Sequence, residues 1–268
     1  MNWLLLPTLV IALMLFGAGV WLGKRRPNGF GLYVLCGLGT VLAMPGVLFA
    51  AYYLKIFSEP VWLYQFRSVP GTELAASGAG FLAGLLHGRV SSGAEFRRIA
   101  GRWFFPGVLA LGLVVPYLKP VLRPSRWNQF QDRWSEDVCL QTSESSCGPA
   151  CAAILLRRFG KHVTEAQIAR ECFTSGNGTE NWCLARAFCR RGLGVRFVFE
   201  PAPNKPWPFP AIAGVRLPGL GNTGHFITIL DRTGDNYVVG DPLEGRIVKS
   251  QPKLRETYEF TGFFMVVK

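Results

Sequence analysis

Cys147 stands at the start of an apolar segment that favours a helix, directly before Gly148 and Pro149. A thiol at a helix N-terminus lies at the positive end of the helix dipole, which stabilises the thiolate, the form that attacks carbonyl carbons. Proline is tolerated in the first helical turn, because its missing N–H would have no helical partner there. The sequence therefore predicts that Cys147 is a nucleophile.

A cysteine nucleophile needs a base, and the chain has three histidines. His87 lies at a predicted membrane boundary and His162 in a polar turn, whereas His225 opens a predicted strand. Asp241 ends the next predicted strand, and a hairpin between adjacent antiparallel strands brings their outer ends together. We therefore expect His225 to be the base and Asp241 to orient its ring.

Gln141 precedes this cysteine on the chain, and we expect its side-chain amide to donate a hydrogen bond to the oxyanion formed beside the sulfur. Other interpretations stay open. Gln141 is also compatible with an ordinary loop amide, and Asp241, which precedes a proline, with a turn residue. Cys147 and Cys151 have a spacing that fits part of a zinc site, but no further pair of ligands matches it. No cofactor or metal is expected.

Four segments follow one another in order: Gln141, Cys147-Gly-Pro-Ala-Cys151 before a helix ending in Phe159-Gly160, Gly224-His-Phe-Ile-Thr-Ile-Leu230, and Gly240-Asp-Pro-Leu-Glu-Gly245. Their order and spacing resemble the bacteriocin-processing, double-glycine cysteine peptidase family over about residues 138–268. The resemblance implies a papain-like α+β fold and the same four residue roles. It also implies cleavage of a peptide substrate after a Gly-Gly leader, coupled to export by a transporter.

The chain departs from the family's best-known members in two ways. In those members the peptidase domain precedes an ATP-binding transporter on the same chain. This sequence has no GxxxxGK[ST] phosphate loop, so a transporter partner is expected to be separately encoded. Ser146 stands where they often have Asp, which implies a different substrate preference. Two alternatives stay open, a non-catalytic module that binds peptides and another thiol acyl transferase or amidase, which uses the same triad.

The front of the chain is apolar and basic. Residues 1–126 carry 12 Lys+Arg against 3 Asp+Glu, and the remaining 142 residues carry 17 against 14. Basic residues beside long apolar runs are typical of membrane flanks, so the lipid bilayer is an expected partner and nucleic acid is not. We predict an all-α transmembrane bundle within residues 1–122, a linker at 123–137 and the peptidase domain at 138–268. The four expected spans are 3–22, 30–54, 74–88 and 103–118.

Orientation follows from the loops, because Lys and Arg concentrate on the cytoplasmic side. The first and third predicted loops are rich in them and the second is poor, which favours a multi-pass protein of the bacterial inner membrane with both termini and the peptidase domain outside the cytoplasm. Lys119, Arg123 and Arg126 argue the other way, and loss of the span at 74–88 would move the domain to the cytoplasm. The basic residues of the two rich loops are Lys24, Arg25, Arg26, Arg89, Arg97, Arg98 and Arg102, against Lys55 and Arg67 in the second.

Local patterns give the elements that position the candidate residues. Gly80 and Gly84 have the GxxxG spacing of closely packed helices. In the back half, helices come first and an antiparallel sheet later, which indicates an α+β domain. Thr164 with Gln167 predicts a capping box for a short helix. Two further helices are expected at 147–159 and 180–191, and strands at 195–200, 211–217, 225–231, 237–240, 246–249 and 263–267, with a turn at 233–236.

Overall fold

The structure is a computed structural model of the chain, and two compact units make up the fold. One unit comprises Met1–Glu59 and Pro70–Lys119, and the other comprises Pro60–Val69 and Pro120–Lys268. The structure describes residues 4–25, 29–54, 56, 60–90, 104–110, 112–114, 121–125, 130–199, 205–217 and 223–268. Several basic residues used to predict the orientation lie outside these ranges, namely Arg26, Lys55, Arg97, Arg98, Arg102, Lys119 and Arg126, as do parts of the span predicted at 103–118.

Two long apolar helices open the first unit, α1 (Leu5–Lys24) and α2 (Phe30–Tyr53). By length and composition both are able to cross a membrane. Many of their large apolar side chains are exposed, which is unusual for a surface that faces water. The two helices coincide with the spans predicted at 3–22 and 30–54.

The other two predicted spans are shorter in the structure. A 3₁₀ helix (Thr72–Gly78) leads into α4 (Ala79–Val90), and a further apolar helix, α5, extends over Phe104–Val114. Neither α4 nor α5 reaches the roughly 20 residues that cross a bilayer as a straight α-helix. The four-helix transmembrane bundle is therefore not confirmed, because the run at 74–88 is divided between a 3₁₀ helix and α4, and the described helix within 103–118 is too short to cross.

Glycines bring α4 into close contact with α1. A Cβ added at Gly80 would lie 2.2 Å from the carbonyl oxygen of Ala12. A Cβ added at Gly88 would lie 2.5 Å from the carbonyl oxygen of Val20, and Gly84 is equally confined. Only glycine allows backbones to approach this closely, so the close contact predicted from Gly80 and Gly84 is confirmed. Since the contacts advance along both helices in the same direction, α4 runs parallel to α1.

The second unit contains an α+β domain, as predicted. Helices α6, α7 and α8 precede all strands of an antiparallel six-stranded sheet of order β3-β8-β4-β5-β6-β7. The helices are α6 (Cys147–Arg158), α7 (Glu165–Glu171), α8 (Asn181–Cys189) and α9 (Gln251–Thr257), and the sheet strands are β3 (Val195–Phe199), β4 (Ala211–Leu217), β5 (Thr223–Thr233), β6 (Asn236–Asp241), β7 (Gly245–Ser250) and β8 (Glu259–Val267).

Local sequence signals agree with several of these elements. Both hydrogen bonds of the capping box between Thr164 and Gln167 are present at the start of α7. The predicted turn joins β5 to β6, and Gly234 has the positive φ of 58° that such turns favour. The sequence does not predict α3 (Val61–Ser68), α9 or the hairpin of β1 (Arg133–Ser135) and β2 (Val138–Leu140). Strand β1 lies inside the segment expected to be a linker.

Helix α6 is the central helix of the domain, since every residue from Cys147 to Leu156 is buried. Small side chains such as Ala150 and Ala153 let it lie close to β5, which carries His225. The packing of α6 on β5 therefore sets the distance between the cysteine and the histidine.

Candidate active site

The hairpin of β5 and β6 joins His225 to Asp241. Thr228 pairs with Gly240 in the ladder, so the start of β5 lies beside the end of β6. Nε2 of His225 is 2.8 Å from Oδ1 of Asp241, and both side chains are buried. The carboxylate therefore fixes the ring and leaves Nδ1 as the nitrogen available to a second partner.

Cys147 lies near that ring. It is the first residue of α6, after Ser146 as N-cap, and its side chain helps to raise the pKa of His225. The backbone N–H groups in the first turn of a helix have no acceptors within the helix. They point towards the N-terminal end, where Cys147 lies. Ser146 is fully buried, and its hydroxyl both accepts from the N–H of Ser143 and donates to the Ser143 carbonyl oxygen, each at 2.9 Å. These bonds hold the turn that leads into the helix.

The buried pair is charged at neutral pH. Burial lowers the pKa of His225, but hydrogen bonds with Asp241 and Cys147 raise it, and the resulting pKa is about 9. Burial raises the pKa of Asp241, yet its contacts with His225 hold that pKa below its usual value. An imidazolium, stabilised by the carboxylate, therefore lies beside Cys147.

Tyr258 is a residue of this site that the sequence does not reveal. Its hydroxyl donates to Oδ2 of Asp241 at 2.5 Å, while the N–H of Leu243 donates to Oδ1 at 2.8 Å. Burial and the neighbouring carboxylate raise the pKa of Tyr258, so the hydroxyl stays a donor. Asp241 is thus held on both oxygens. No motif surrounds Tyr258, which lies between α9 and β8, and only its contact identifies it.

Gln141 lies on the loop between β2 and α6. Its backbone N–H donates to the carbonyl oxygen of Pro242 at 2.9 Å, which ties it to the residue after Asp241. Its side-chain Nε2 donates to the carbonyl oxygen of Ser143 at 2.9 Å. One amide hydrogen is therefore engaged locally and the second is available. Within the described part of the chain, the buried Oε1 has no hydrogen-bond partner.

Glu165 secures the same loop and is the second residue that the sequence does not reveal. Its Oε1 accepts from the backbone N–H of Thr142 at 2.9 Å, and its Oε2 accepts from the Thr142 hydroxyl at 2.6 Å. Glu165 is fully buried in the first turn of α7, where the helix dipole favours a carboxylate. The sequence shows that Glu165 follows the capping residue of α7. It does not show which loop Glu165 bonds.

The remaining candidates have other surroundings. Cys151 is buried and donates from its sulfur to the carbonyl oxygen of Phe226 at 3.2 Å, and burial raises its pKa. All seven cysteines are free thiols. His162 follows the C-terminal end of α6, the end opposite the nucleophile. His87 lies in α4, where its ring contacts Phe16. The structure thus brings His225, rather than either of these histidines, to the cysteine.

A cysteine at a helix N-terminus beside a histidine and a carboxylate, within an α+β domain, is the arrangement of papain-like cysteine peptidases. The family model of the Peptidase C39 family matches residues 135–268, half of the chain. The chain belongs to this family of cysteine peptidases, and the resemblance to double-glycine peptidases is confirmed.

Two relatives each match about half of this chain. An uncharacterized protein of Methanothermobacter marburgensis is 34% identical over 136 residues, which are 50% of this chain and 89% of that protein. The lactococcin-G-processing and transport ATP-binding protein LagD of Lactococcus lactis is 25% identical over 134 residues. That match covers 49% of this chain but only 18% of LagD. Only a small part of LagD is therefore similar to this chain.

Two solved structures are also similar. The double-glycine-motif protease of an AMS/PCAT transporter, in complex with its leader peptide, matches 52% of this chain and 94% of its own, with 22% identity and a TM-score of 0.42. The peptidase domain of Streptococcus ComA, a bifunctional ABC transporter, matches 48% and 96%, with 19% identity and a TM-score of 0.42. The family assignment rests on the sequence match and not on these two.

Proposed function

We propose that the protein is a membrane-anchored cysteine peptidase that uses Cys147, His225 and Asp241 as its catalytic triad. The observation that carries the proposal is the buried His225 ring, whose Nε2 lies 2.8 Å from Oδ1 of Asp241 and whose pKa is raised by both Asp241 and Cys147. A protein that only binds peptides has no need of this aligned set. Membership of a cysteine peptidase family supports the same conclusion.

The chemistry follows from the protonation state of this site. The thiolate of Cys147 attacks the scissile carbonyl carbon, and the imidazolium of His225 donates its proton to the departing amine as the C–N bond breaks. The neutral imidazole then takes a proton from water, and the hydroxide attacks the thioester and releases the acid and the thiolate. Asp241 stays ionised and stabilises the imidazolium in each cycle.

The tetrahedral intermediates carry an oxyanion that needs donors. We assign this role to the Nε2 of Gln141 and to backbone N–H groups at the start of α6, because oriented dipoles at a helix N-terminus stabilise negative charge. Nε2 has a second hydrogen besides the one that bonds Ser143. The bond to Ser143 then orients the amide instead of competing with the oxyanion.

The proposed substrate is a peptide with a Gly-Gly leader, and the proposed partner is an export transporter. Support comes from the double-glycine motif protease and from LagD, whose name couples processing to transport. Helices α1 and α2 are the proposed anchor, since each is long and apolar enough to cross a bilayer. An anchor would keep the peptidase beside a transporter.

The test uses the full chain in lipid nanodiscs with a synthetic leader peptide that contains Gly-Gly before the cleavage point. A matched peptide has Val-Val instead, because a site that reads glycine excludes side chains. We expect cleavage of the first peptide alone, none with Cys147→Ala, and full cleavage with the exposed Cys189→Ser as control. A peptide that binds but stays intact would identify a receptor, and cleavage of both peptides would remove the Gly-Gly specificity.

A further inference from the structure

Helix α3 belongs to the peptidase unit although it lies far from it in sequence. The chain leaves the first unit after Glu59, contributes Pro60–Val69 to the second, and returns to the first at Pro70. An isolated helix of eight residues is not stable in water. Its helical form therefore depends on the domain surface on which it packs.

Aromatic packing holds the middle of α3. The ring of Tyr64 lies 5.5 Å from that of Phe197, 5.6 Å from that of Phe263 and 6.4 Å from that of Trp182, measured between centroids. The neighbouring Leu63 is fully buried. Aromatic rings at these distances stabilise one another by more than the burial of their surface alone. Helix α3 therefore packs at a defined position against β3, β8 and α8.

Gln65 covers the edge of the sheet. Strand β3 is an edge strand, and its free side would otherwise offer unpaired backbone groups to another chain. The side-chain Nε2 of Gln65 donates to the carbonyl oxygen of Val195 at 3.3 Å, and its Oε1 accepts from the N–H of Phe197 at 3.4 Å. The amide thus bonds β3 as the peptide group of a neighbouring strand would.

Two arginines secure the end of α3. A terminal nitrogen of Arg186 donates to the carbonyl oxygens of Arg67 at 2.6 Å and of Val69 at 3.1 Å. A cation at a helix C-terminus satisfies the last carbonyls and opposes the negative end of the dipole. The guanidinium of Arg67 in turn lies 3.3 Å from the ring centroid of Trp182. The middle and the C-terminal end of the helix are therefore both bonded to the domain.

We infer that α3 is an internal tether that holds the peptidase domain on the membrane face where α2 ends and α1 begins. The inference rests on the proposed insertion of α1 and α2, and it does not depend on catalysis. If both helices cross, the start of α1 and the end of α2 share one face of the bilayer. Helix α3 follows α2 after a short segment, so the domain to which it is bonded shares that face.

The direction of α4 completes the topology. Because α4 runs parallel to α1, its start lies towards the face on which α1 starts, and its end points towards the opposite face. Pro120 begins the rest of the peptidase unit. The tether therefore requires an even number of crossings between Val69 and Pro120.

The first experiment labels single cysteines with a membrane-impermeant maleimide in sealed vesicles of one orientation. Trp62→Cys reports the exposed side of α3, Asp235→Cys the fully exposed turn between β5 and β6, and Lys24→Cys the far end of α1. Cys147→Ala together with Cys189→Ser provides the background, because Cys147 is the proposed reactive thiol and the other native cysteines are buried or half-buried. We expect the maleimide to label both positions 62 and 235 or neither of them. Position 24 should give the opposite result.

Opposite accessibility at 62 and 235 would overturn the tether. Equal labelling of all three positions in sealed vesicles would instead contradict the proposed membrane anchor. The experiment therefore distinguishes failure of the anchor from failure of the tether. Detergent should expose all three sites and so confirms that the cysteines react.

The second experiment measures hydrogen exchange of β3 in the full chain, and it tests the bonded surface itself. Gln65→Ala and Tyr64→Ala should each cause a loss of protection at the Phe197 amide. Trp62→Ala, on the exposed side of the same helix, is the matched control and should leave protection unchanged. Unchanged protection in both test variants would overturn the tether, while thiol labelling of Cys147 reports whether the domain stays folded.

Discussion

The hydroxyl of Tyr258 donates to Oδ2 of Asp241 at 2.5 Å, and Oδ1 of the same carboxylate lies 2.8 Å from Nε2 of His225. One buried carboxylate is thus shared between a phenol that stays protonated and an imidazole that changes charge during the proposed reaction. Because a donor on Oδ2 stabilises the ionised carboxylate, Tyr258 helps to lower the pKa of Asp241. The tyrosine is a positioning residue that acts through Asp241.

Tyr258→Phe should lower kcat by roughly tenfold and leave KM unchanged, as expected when a hydrogen bond to a charged group is lost. Removal of the donor raises the pKa of Asp241, so the acid limb of the kcat profile should move to higher pH. Tyr237→Phe is the matched control, because this buried tyrosine accepts from the Trp207 N–H, outside the site. An acid limb that moves equally in both variants would make the effect of Tyr258 merely structural.

Replacement of the triad residues should have graded effects. Cys147→Ala should abolish cleavage, and His225→Ala should cost nearly as much, because nucleophile and base act as one unit. Asp241→Asn should leave more residual activity than His225→Ala, since Asp241 only orients the ring and stabilises its charge. Turnover of one leader peptide measures all three, with Cys189→Ser as control. Full activity in Cys147→Ala would contradict the assignment of the nucleophile.

The proposed triad is predictable from the sequence because each member has a short-range signal. Cys147 precedes Gly-Pro at a helix start, His225 opens a strand, and Asp241 ends the next one. Tyr258 has no such signal, and the position of Glu165 after the capping residue does not reveal which loop it bonds. Their partners lie 17 and 23 residues away on other elements, and local patterns do not encode those contacts.

The fold shows the same division. Strands with β-branched runs and the capping box at Thr164 are local features, and they are predictable within a few residues. Helix α3 is not, because eight residues carry little periodic signal and Gln65 bonds a strand 130 residues later. The runs at 74–88 and 103–118 have the composition of spans, but composition does not reveal where regular helix begins and ends.

Activity should fall as the pH rises through about 9, the pKa of His225. The proposed reaction needs the imidazolium as proton donor to the leaving amine, and this form is lost above the pKa. Since the bond to Asp241 raises that pKa, Asp241→Asn should move the alkaline limb of kcat/KM to lower pH. Asp231→Asn is the matched control, because Asp231 lies on β5, the strand that carries His225, but pairs with the exposed Arg158. A limb that does not move in Asp241→Asn would contradict the coupling.

Gln141 and Glu165 should act on the same step. Gln141→Ala should lower kcat by roughly 10² to 10³-fold with little change in peptide affinity, the usual effect of removing one oxyanion donor. Glu165→Gln should lower kcat in the same way but less, because an amide NH₂ facing the Thr142 donors loosens the loop that carries Gln141.

The double variant Gln141→Ala with Glu165→Gln separates positioning from general destabilisation. If Glu165 works through Gln141, the second substitution adds little once the first is present, and the coupling energy in the double-mutant cycle is large. Glu171→Gln is the matched control on the same helix, since Glu171 pairs with Arg191 away from the loop. It should leave kcat unchanged. Additive losses from Gln141→Ala and Glu165→Gln would show that Glu165 stabilises the domain without positioning the oxyanion donor.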